Sequence, residues 1–294
     1  ILKGGKEALN SNRVLAGLIR KTLIASNSAP EDSVSLVESR DEVAELVKMS
    51  AELDLIIPRG SNELVQHIQK NAQVPVLGHA DGICHVFLDE TANEAKSLEV
   101  TLDSKLDYPA VCNASETLLV HQNFSDKLLA DILQKLQDAG VELRVCAETE
   151  KRLQNFSQLK LKSAVEEDWK TEYIDLILAV KSVKSAEAAV QHINHYGSKH
   201  TDSIVTENAE LAEWFMNTVD AAGVFWNAST RFSDGFRYGL GAEVGVSTGK
   251  IHARGPVGLD GLVIYKYKLY GNGHGVGRYS NAKRELLHEN IALD

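Results

Sequence analysis

Short, largely apolar runs alternate along this chain with stretches whose apolar residues recur at helical spacing, and that alternation restricts the fold more than any other feature. Leu53–Ile57, Ile83–Leu88 and Leu176–Val180 read as strands buried on both faces, joined by further strands at 34–37, 74–77, 141–146, 203–206 and 224–226. Between them, residues 6–24 carry Leu9, Val14, Leu15, Leu18 and Ile19 on one helical stripe. Residues 128–136 carry a second stripe, closed by Gly140. Ser39 with Glu42, and Thr91 with Glu94, form capping boxes that open helices reaching about Ser50 and about Lys105. Residues 61–72, 186–195 and 208–220 complete the helical set. Strand and helix in alternation specify mostly parallel sheets covered by helices. The expected fold is therefore α/β, in two lobes meeting near residue 100. The segment 227–261 is rich in Gly, Ser, Thr and Arg and lacks periodicity, as functional loops do.

Charge and cysteine content narrow the chemistry. The 294 residues carry 31 basic and 41 acidic side chains, a formal net charge of -10. Such a surface repels a phosphate backbone, which argues against nucleic-acid binding. Three widely spaced cysteines, Cys84, Cys112 and Cys146, make no disulfide framework and point to a reducing compartment. No apolar run approaches a membrane span. The opening Ile1-Leu2-Lys3-Gly4-Gly5 reads as the end of a strand whose beginning is absent, so a fragment is expected.

Cys146 and Cys84 fit the reading of small buried hydrophobes. Cys112 stands apart. It follows Tyr108-Pro109-Ala110-Val111, where proline forces an extended approach, and precedes Asn113-Ala114-Ser115-Glu116-Thr117-Leu118. A thiol at such a loop-to-helix junction would face the positive end of the peptide dipoles, and its thiolate would be favoured. A metal site is the competing reading, since His79, Asp81, Cys84 and His85 are all ligand types. Cys84 and His85 are adjacent on a predicted strand, however, and leave on opposite faces, so no metal is expected. Lys3-Gly4-Gly5-Lys6 lies between a strand and a helix, where two lysines and bare backbone suit a phosphate. Gly271 to Gly277 lacks the last glycine of a dinucleotide fingerprint and reads as a turn. Asn227-Ala228-Ser229-Thr230-Arg231-Phe232-Ser233-Asp234 suits an amino-acid head group, with arginine for carboxylate; a packed loop with a salt bridge is the alternative.

These residues resemble the gamma-glutamyl phosphate reductase family, a branch of the aldehyde dehydrogenase superfamily. The similarity runs from residue 1 to about residue 265. It is carried by Leu2-Lys3-Gly4-Gly5-Lys6-Glu7, Ile57-Pro58-Arg59-Gly60-Ser61, Gly78 through His85, Tyr108 through Ala114, and Val183 through Ile204. Asn227 to Gly245 and Ile251 through Gly258 are the most diagnostic stretches. In animals and plants the family's reductase forms the C-terminal half of bifunctional delta-1-pyrroline-5-carboxylate synthases. Val224 through Asn227 and Leu286 through Asn290 look closest to those.

The resemblance implies an aldehyde-dehydrogenase-like fold with the N-terminal part of the cofactor domain missing. Residues 1–100 would be the rest of the NADP-binding domain, 101–245 the catalytic domain, and 246–294 a return segment and tail. It implies NADPH-dependent reduction of L-glutamyl 5-phosphate to L-glutamate 5-semialdehyde in proline and ornithine biosynthesis. Cys112 would be the nucleophile, forming a thioester, with Asn113 beside it. Lys3, Gly4, Gly5, Lys6, Arg59, Gly60, Ser61 and Glu172 would hold NADP(H), with Lys6 favouring the 2'-phosphate and Glu172 holding the nicotinamide ribose. Asn227, Ser229, Thr230 and Arg231 would anchor the substrate tail. Oxidising relatives keep a carboxylate to activate water; Pro75-Val76-Leu77-Gly78-His79 has none, which suits a reductase. Ser115 and Val111 depart from the family's usual residues beside the nucleophile. A glutamate 5-kinase domain or protein and a homo-oligomer are the expected partners. The mitochondrial matrix is expected for an animal synthase and the cytoplasm otherwise. The other reading is a non-catalytic oligomerisation module of a bifunctional synthase.

Overall fold

The computed structural model describes residues 1–78, 81–251, 253–280 and 285–286. The chain starts with a small unit in which β1 (Leu2–Lys3) pairs in parallel with β2 (Leu36–Val37) across the long helix α1 (Leu9–Ala25). The apolar stripe of α1 leaves Val14 69% and Leu18 59% exposed, so this helix has no core of its own to cover. Helix α2 (Arg40–Leu46) begins at the expected capping box: Ser39 Oγ accepts the Glu42 N–H at 3.1 Å, and the Glu42 carboxylate accepts the Ser39 N–H at 2.7 Å. The helix stops short of Ser50. Next comes α3 (Asn62–Asn71), capped by Ser61. The strands expected at 53–57 and 74–77 reduce to one parallel bridge, Ile56 to Val76. Asp54 interrupts the first run and Pro75 withholds a donor from the second, so neither sustains a ladder.

The remaining strands build one sheet. They are β3 (Cys84–Leu88), β4 (Ser115–His121), β5 (Glu142–Val145), β6 (Leu161–Ser163), β7 (Ile177–Val183), β8 (Thr201–Val205) and β9 (Gly223–Trp226). Helices α4 (Glu94–Leu106), α5 (Asp126–Asp138), α6 (Ala147–Leu153), α7 (Ala186–Tyr196) and α8 (Ala209–Thr218) connect them. The seven strands lie in the order β6-β5-β7-β4-β3-β8-β9, each parallel to its neighbours. The chain starts in the middle, winds out to β6, returns to insert β7 between β4 and β5, and then passes β3 to the other edge.

Alternation sorts the side chains between two cores. Val86, Leu88, Leu118, Val120, Leu143 and Val180 pack under α4 and α5, while Phe87, Leu119 and Ile204 face α7 and α8. Leu118 and Phe87 are fully buried, so truncating either to alanine costs about 2–5 kcal/mol. Strand β4 and the pair α6 and β6 went unforeseen. Helix α4 is capped by Asn93, whose side chain accepts the Lys96 N–H, and not by Thr91. Thr91 is taken by Asp89 and Thr206 instead. The sheet starts at Cys84. Beyond it, β10 (Gly245–Ser247) and β11 (Gly255–Val257) form a small antiparallel pair.

Candidate active site

Because every strand runs the same way, all their N-terminal ends lie along one edge, and four turns meet there. Gly82 precedes β3, Cys112 precedes β4, Glu172 precedes β7 and His200 precedes β8. The backbones of the first two are in close contact: a Cβ at Gly82 would sit 2.4 Å from the Cys112 Cα, so only glycine fits. The Cys84 thiol donates to the Cys112 carbonyl at 3.2 Å, a second tie between the same turns. His200, fully buried, brings Nε2 to 3.1 Å from the Cys112 sulfur. Its Nδ1 lies 2.9 Å from the Thr201 hydroxyl. With Nδ1–H donated to that hydroxyl, Nε2 is an acceptor for the thiol proton.

The electrostatics correct one expectation. Burial, helped by the Glu172 and Glu243 carboxylates and opposed by Arg59, pushes the Cys112 thiol up to about 11. No helix follows Cys112: the next element is β4, so no helix dipole favours the thiolate. The sequence Ser115-Glu116-Thr117 looks like a capped helix start, but buried pairing with β3 and β7 prevails. A protonated thiol at neutral pH needs a base, and among the described residues His200 is in contact with it.

Other expected site residues divide into those that join Cys112 and those that do not. Glu172 and Arg59 do, through the charge effects just described. Asn113 is buried beside it and committed to the 229–233 segment: its Nδ2 donates to the Ser233 carbonyl at 2.9 Å, and its carbonyl accepts the Thr230 hydroxyl at 2.7 Å. Ser229 and Thr230 are buried against Ser104 of α4. Arg231, expected to grip a carboxylate, is buried with Nε 3.0 Å from Asp107. The packed loop with a salt bridge is what the structure contains. Asn227 lies at the other edge of the sheet, where Oδ1 accepts the Thr206 N–H and Nδ2 donates to the Thr206 carbonyl, each at 3.0 Å. Its amide is spent on backbone, so it does not meet Cys112. Ser115, buried in β4, turns its hydroxyl to the Thr117 carbonyl at 3.3 Å.

Lys3, Gly4, Gly5 and Lys6 sit in the separate two-stranded unit, between β1 and the turn that opens α1. Gly60, with φ of +151°, and Ser61 lead into α3. Two lysines on a bare glycine pair and a glycine-serine step at a helix start are the donor types a dinucleotide's phosphates require, so the residues fit such a cofactor. His79, weighed as a metal ligand and in the water-activating stretch, lies outside the described residues, as do His252 of the 251–258 block and most of the 286–290 stretch. Cys84 and His85 leave on opposite faces: His85 Nδ1 is 2.8 Å from Asp202 in full burial, away from Cys112. Among the described residues no group of three or more His, Cys, Asp or Glu could hold a metal. Nor is any described helix long and apolar enough to cross a membrane.

Sequence reasoning missed His200, Gly82 and Glu243 as members of the site. His200 and Gly82 lie inside blocks that carried the resemblance, and a glycine two residues before a buried strand is a signal for close backbone approach.

No protein-family model matches the chain. It is similar to the gamma-glutamyl phosphate reductase of Acetivibrio thermocellus, 52% identical over 99% of this chain and 66% of that protein. The chain thus spans just under two thirds of that relative. The crystal structure of gamma-glutamyl phosphate reductase from Thermotoga maritima superposes with a TM-score of 0.87 at 43% identity, over 92% of this chain and 65% of that one. An acetylating aldehyde dehydrogenase from Geobacillus thermoglucosidasius, 20% identical over 87% of this chain and 66% of that one, shares the fold with a TM-score of 0.60. The relatives carry the reductase name alone and lend no support to a kinase fusion or a mitochondrial location. By sequence and by fold, the chain belongs to the gamma-glutamyl phosphate reductase family.

Proposed function

We propose that the chain carries the reacting site of an NADPH-dependent enzyme that converts L-glutamyl 5-phosphate to L-glutamate 5-semialdehyde and phosphate through a thioester on Cys112. The carrying observation is the 3.1 Å approach of His200 Nε2 to the Cys112 sulfur at the sheet edge. In this reading His200 accepts the thiol proton as the sulfur bonds to the acyl carbon. The bond from that carbon to the phosphate oxygen breaks, and the proton passes from His200 to the departing phosphate. The Cys112 backbone N–H helps hold the oxyanion. Arg59, whose charge acts on Cys112, stays on the cofactor side of this reading, where its guanidinium suits a phosphate of NADPH. NADPH, when bound, supplies the hydride that reduces the thioester to the oxidation level of an aldehyde. Cys112 then regains its proton and releases the semialdehyde.

Lys3, Gly4, Gly5, Lys6, Gly60, Ser61 and Glu172 belong to the cofactor side of this proposal, and Ser229, Thr230 and Arg231 shape the substrate side. The divisions at residues 100 and 245 remain part of it as functional assignments. So do a glutamate 5-kinase as source of the acyl phosphate and self-association. For the last, the run Val263 to Tyr270 offers support, with Ile264 94% and Leu269 91% exposed. The test runs the reaction backwards, with glutamate semialdehyde, phosphate and NADP+. Cys112→Ser is expected to lower NADPH production by a factor on the order of 10³ or more. Full activity in this variant overturns the assignment.

A further inference from the structure

The apolar face of β4 reads Glu116, Leu118, Val120, and the first of these is out of place. Glu116 is 1% exposed and Lys105, from the last turn of α4, is fully buried; Nζ and Oε2 are 2.6 Å apart. Replacing such a pair by leucine and methionine is often neutral or stabilising, so core packing alone does not call for it. Glu116 Oε1 is buried with no partner of full hydrogen-bond geometry.

Glu116 immediately precedes the first β4–β7 register pair, Thr117 with Ala179, and the turn at 172–175 leads into β7. Burial pushes Glu116 up to about 7, against the pull of Lys105 and a weaker approach of the Ile174 N–H, and the Glu172 charge adds to the rise. Lys105 is lowered by burial and raised by Glu116 and Asp175. The turn is costly in itself, because Ile174 is β-branched yet adopts φ of +56°. Something must hold it. On one side Tyr173 is anchored by its hydroxyl, 2.7 Å from Asp168, which Arg144 also grips at 2.7 Å. The Lys105–Glu116 pair is the other group that feels this turn, through the Ile174 N–H and the Glu172 and Asp175 charges.

We propose that Lys105 and Glu116 are a positioning pair that fixes the Glu172–Asp175 turn and thereby aims the Glu172 carboxylate, a role resting on the reading of Glu172 as a cofactor ligand beside Cys112. Neither side chain touches substrate or cofactor. Their effect passes through the backbone of Ile174.

The experiment uses the protein as it occurs naturally and compares Glu172→Gln, the double variant Lys105→Met/Glu116→Leu, and the triple combination. Two readouts need no turnover: NADPH affinity by fluorescence titration, and the pH midpoint of Cys112 alkylation by iodoacetamide without cofactor. The double variant is expected to keep its thermal midpoint within a few degrees, to weaken NADPH about tenfold, the worth of one hydrogen bond to a charged group, and to lower the alkylation midpoint as Glu172 swings away. Adding it to Glu172→Gln should change neither readout further. A double variant that folds and leaves both readouts unchanged, while Glu172→Gln alters them, overturns the positioning role. If the double variant does not fold, Glu116→Gln alone is measured by the same readouts, and an unchanged result again overturns it. If Glu172→Gln itself leaves NADPH affinity intact, the reading of Glu172 fails instead.

Discussion

The two edges of the seven-stranded sheet are built on opposite principles. At the C-terminal edge, polar side chains satisfy one another. Asp89 accepts the hydroxyls of Thr91 and Thr206 at 2.7 and 2.9 Å, Asn227 takes both backbone groups of Thr206, and the Trp226 indole N–H donates to the same carbonyl at 2.9 Å. At the N-terminal edge, Asn113 Oδ1, Glu116 Oε1 and Ser233 Oγ are buried without partners. The backbone differs too: Asn227 adopts a left-handed conformation that asparagine tolerates, whereas Ile174 and Lys199 adopt it beside the reacting groups at greater cost. Open α/β sheets commonly bind ligands beyond the carboxyl ends of their strands. In this sheet that edge is closed, and the incompletely satisfied one carries the sulfur.

The largest test of the contrast is His200→Ala, which should reduce turnover in the reverse assay by ~10²–10⁴-fold, the worth of a positioned general base. Retained activity would mean that the thiol loses its proton elsewhere. Gly82→Ala comes next. Its new methyl carbon would clash with the Cys112 backbone at 2.3 Å, and displacing the nucleophile by about 1 Å costs about 10²-fold in kcat. An unimpaired variant would show that the two turns are not locked together.

A pH series sharpens the contrast further. With the folded Cys112 raised from 9.0 to about 11, the folded state holds this proton more tightly than the unfolded chain. Its contribution to stability is complete below pH 9 and is lost as pH rises through 11. Urea titrations of the wild type should lose midpoint across that window by more than those of Cys112→Ser; equal losses would remove the perturbed thiol. The smallest effect belongs to the closed edge. Asn227→Ala should cost about 1–3 kcal/mol of stability and leave the semialdehyde KM unchanged. A KM raised tenfold would return Asn227 to the substrate site.

Much of this was legible in the residues. Period-two and period-3.6 patterns gave α1, α5, α7 and α8 within a few positions, because each has an amphipathic stripe or a capping side chain of its own. Strand β4 escaped because its first residues, Ser115-Glu116-Thr117, are polar; their burial depends on Lys105 and on neighbours far along the chain, which no local pattern reports. The site shows the same division. Cys112 stands out by its flanking Pro109 and Asn113, whereas His200 lies 88 residues away and reaches the sulfur only through the order of strands. The ion pair of Arg231 escaped for a related reason: its partner, Asp107, is 124 residues distant.

The position of β7 has a bearing on how the chain is made. It fills the gap between β4 and β5, yet emerges from the ribosome after both. Until it arrives, two central strands expose unpaired backbone, a template for misassociation with other nascent chains. Synthesis that pauses or terminates between Val145 and Ile177 would therefore yield an aggregation-prone intermediate and make this stretch the one most dependent on chaperones.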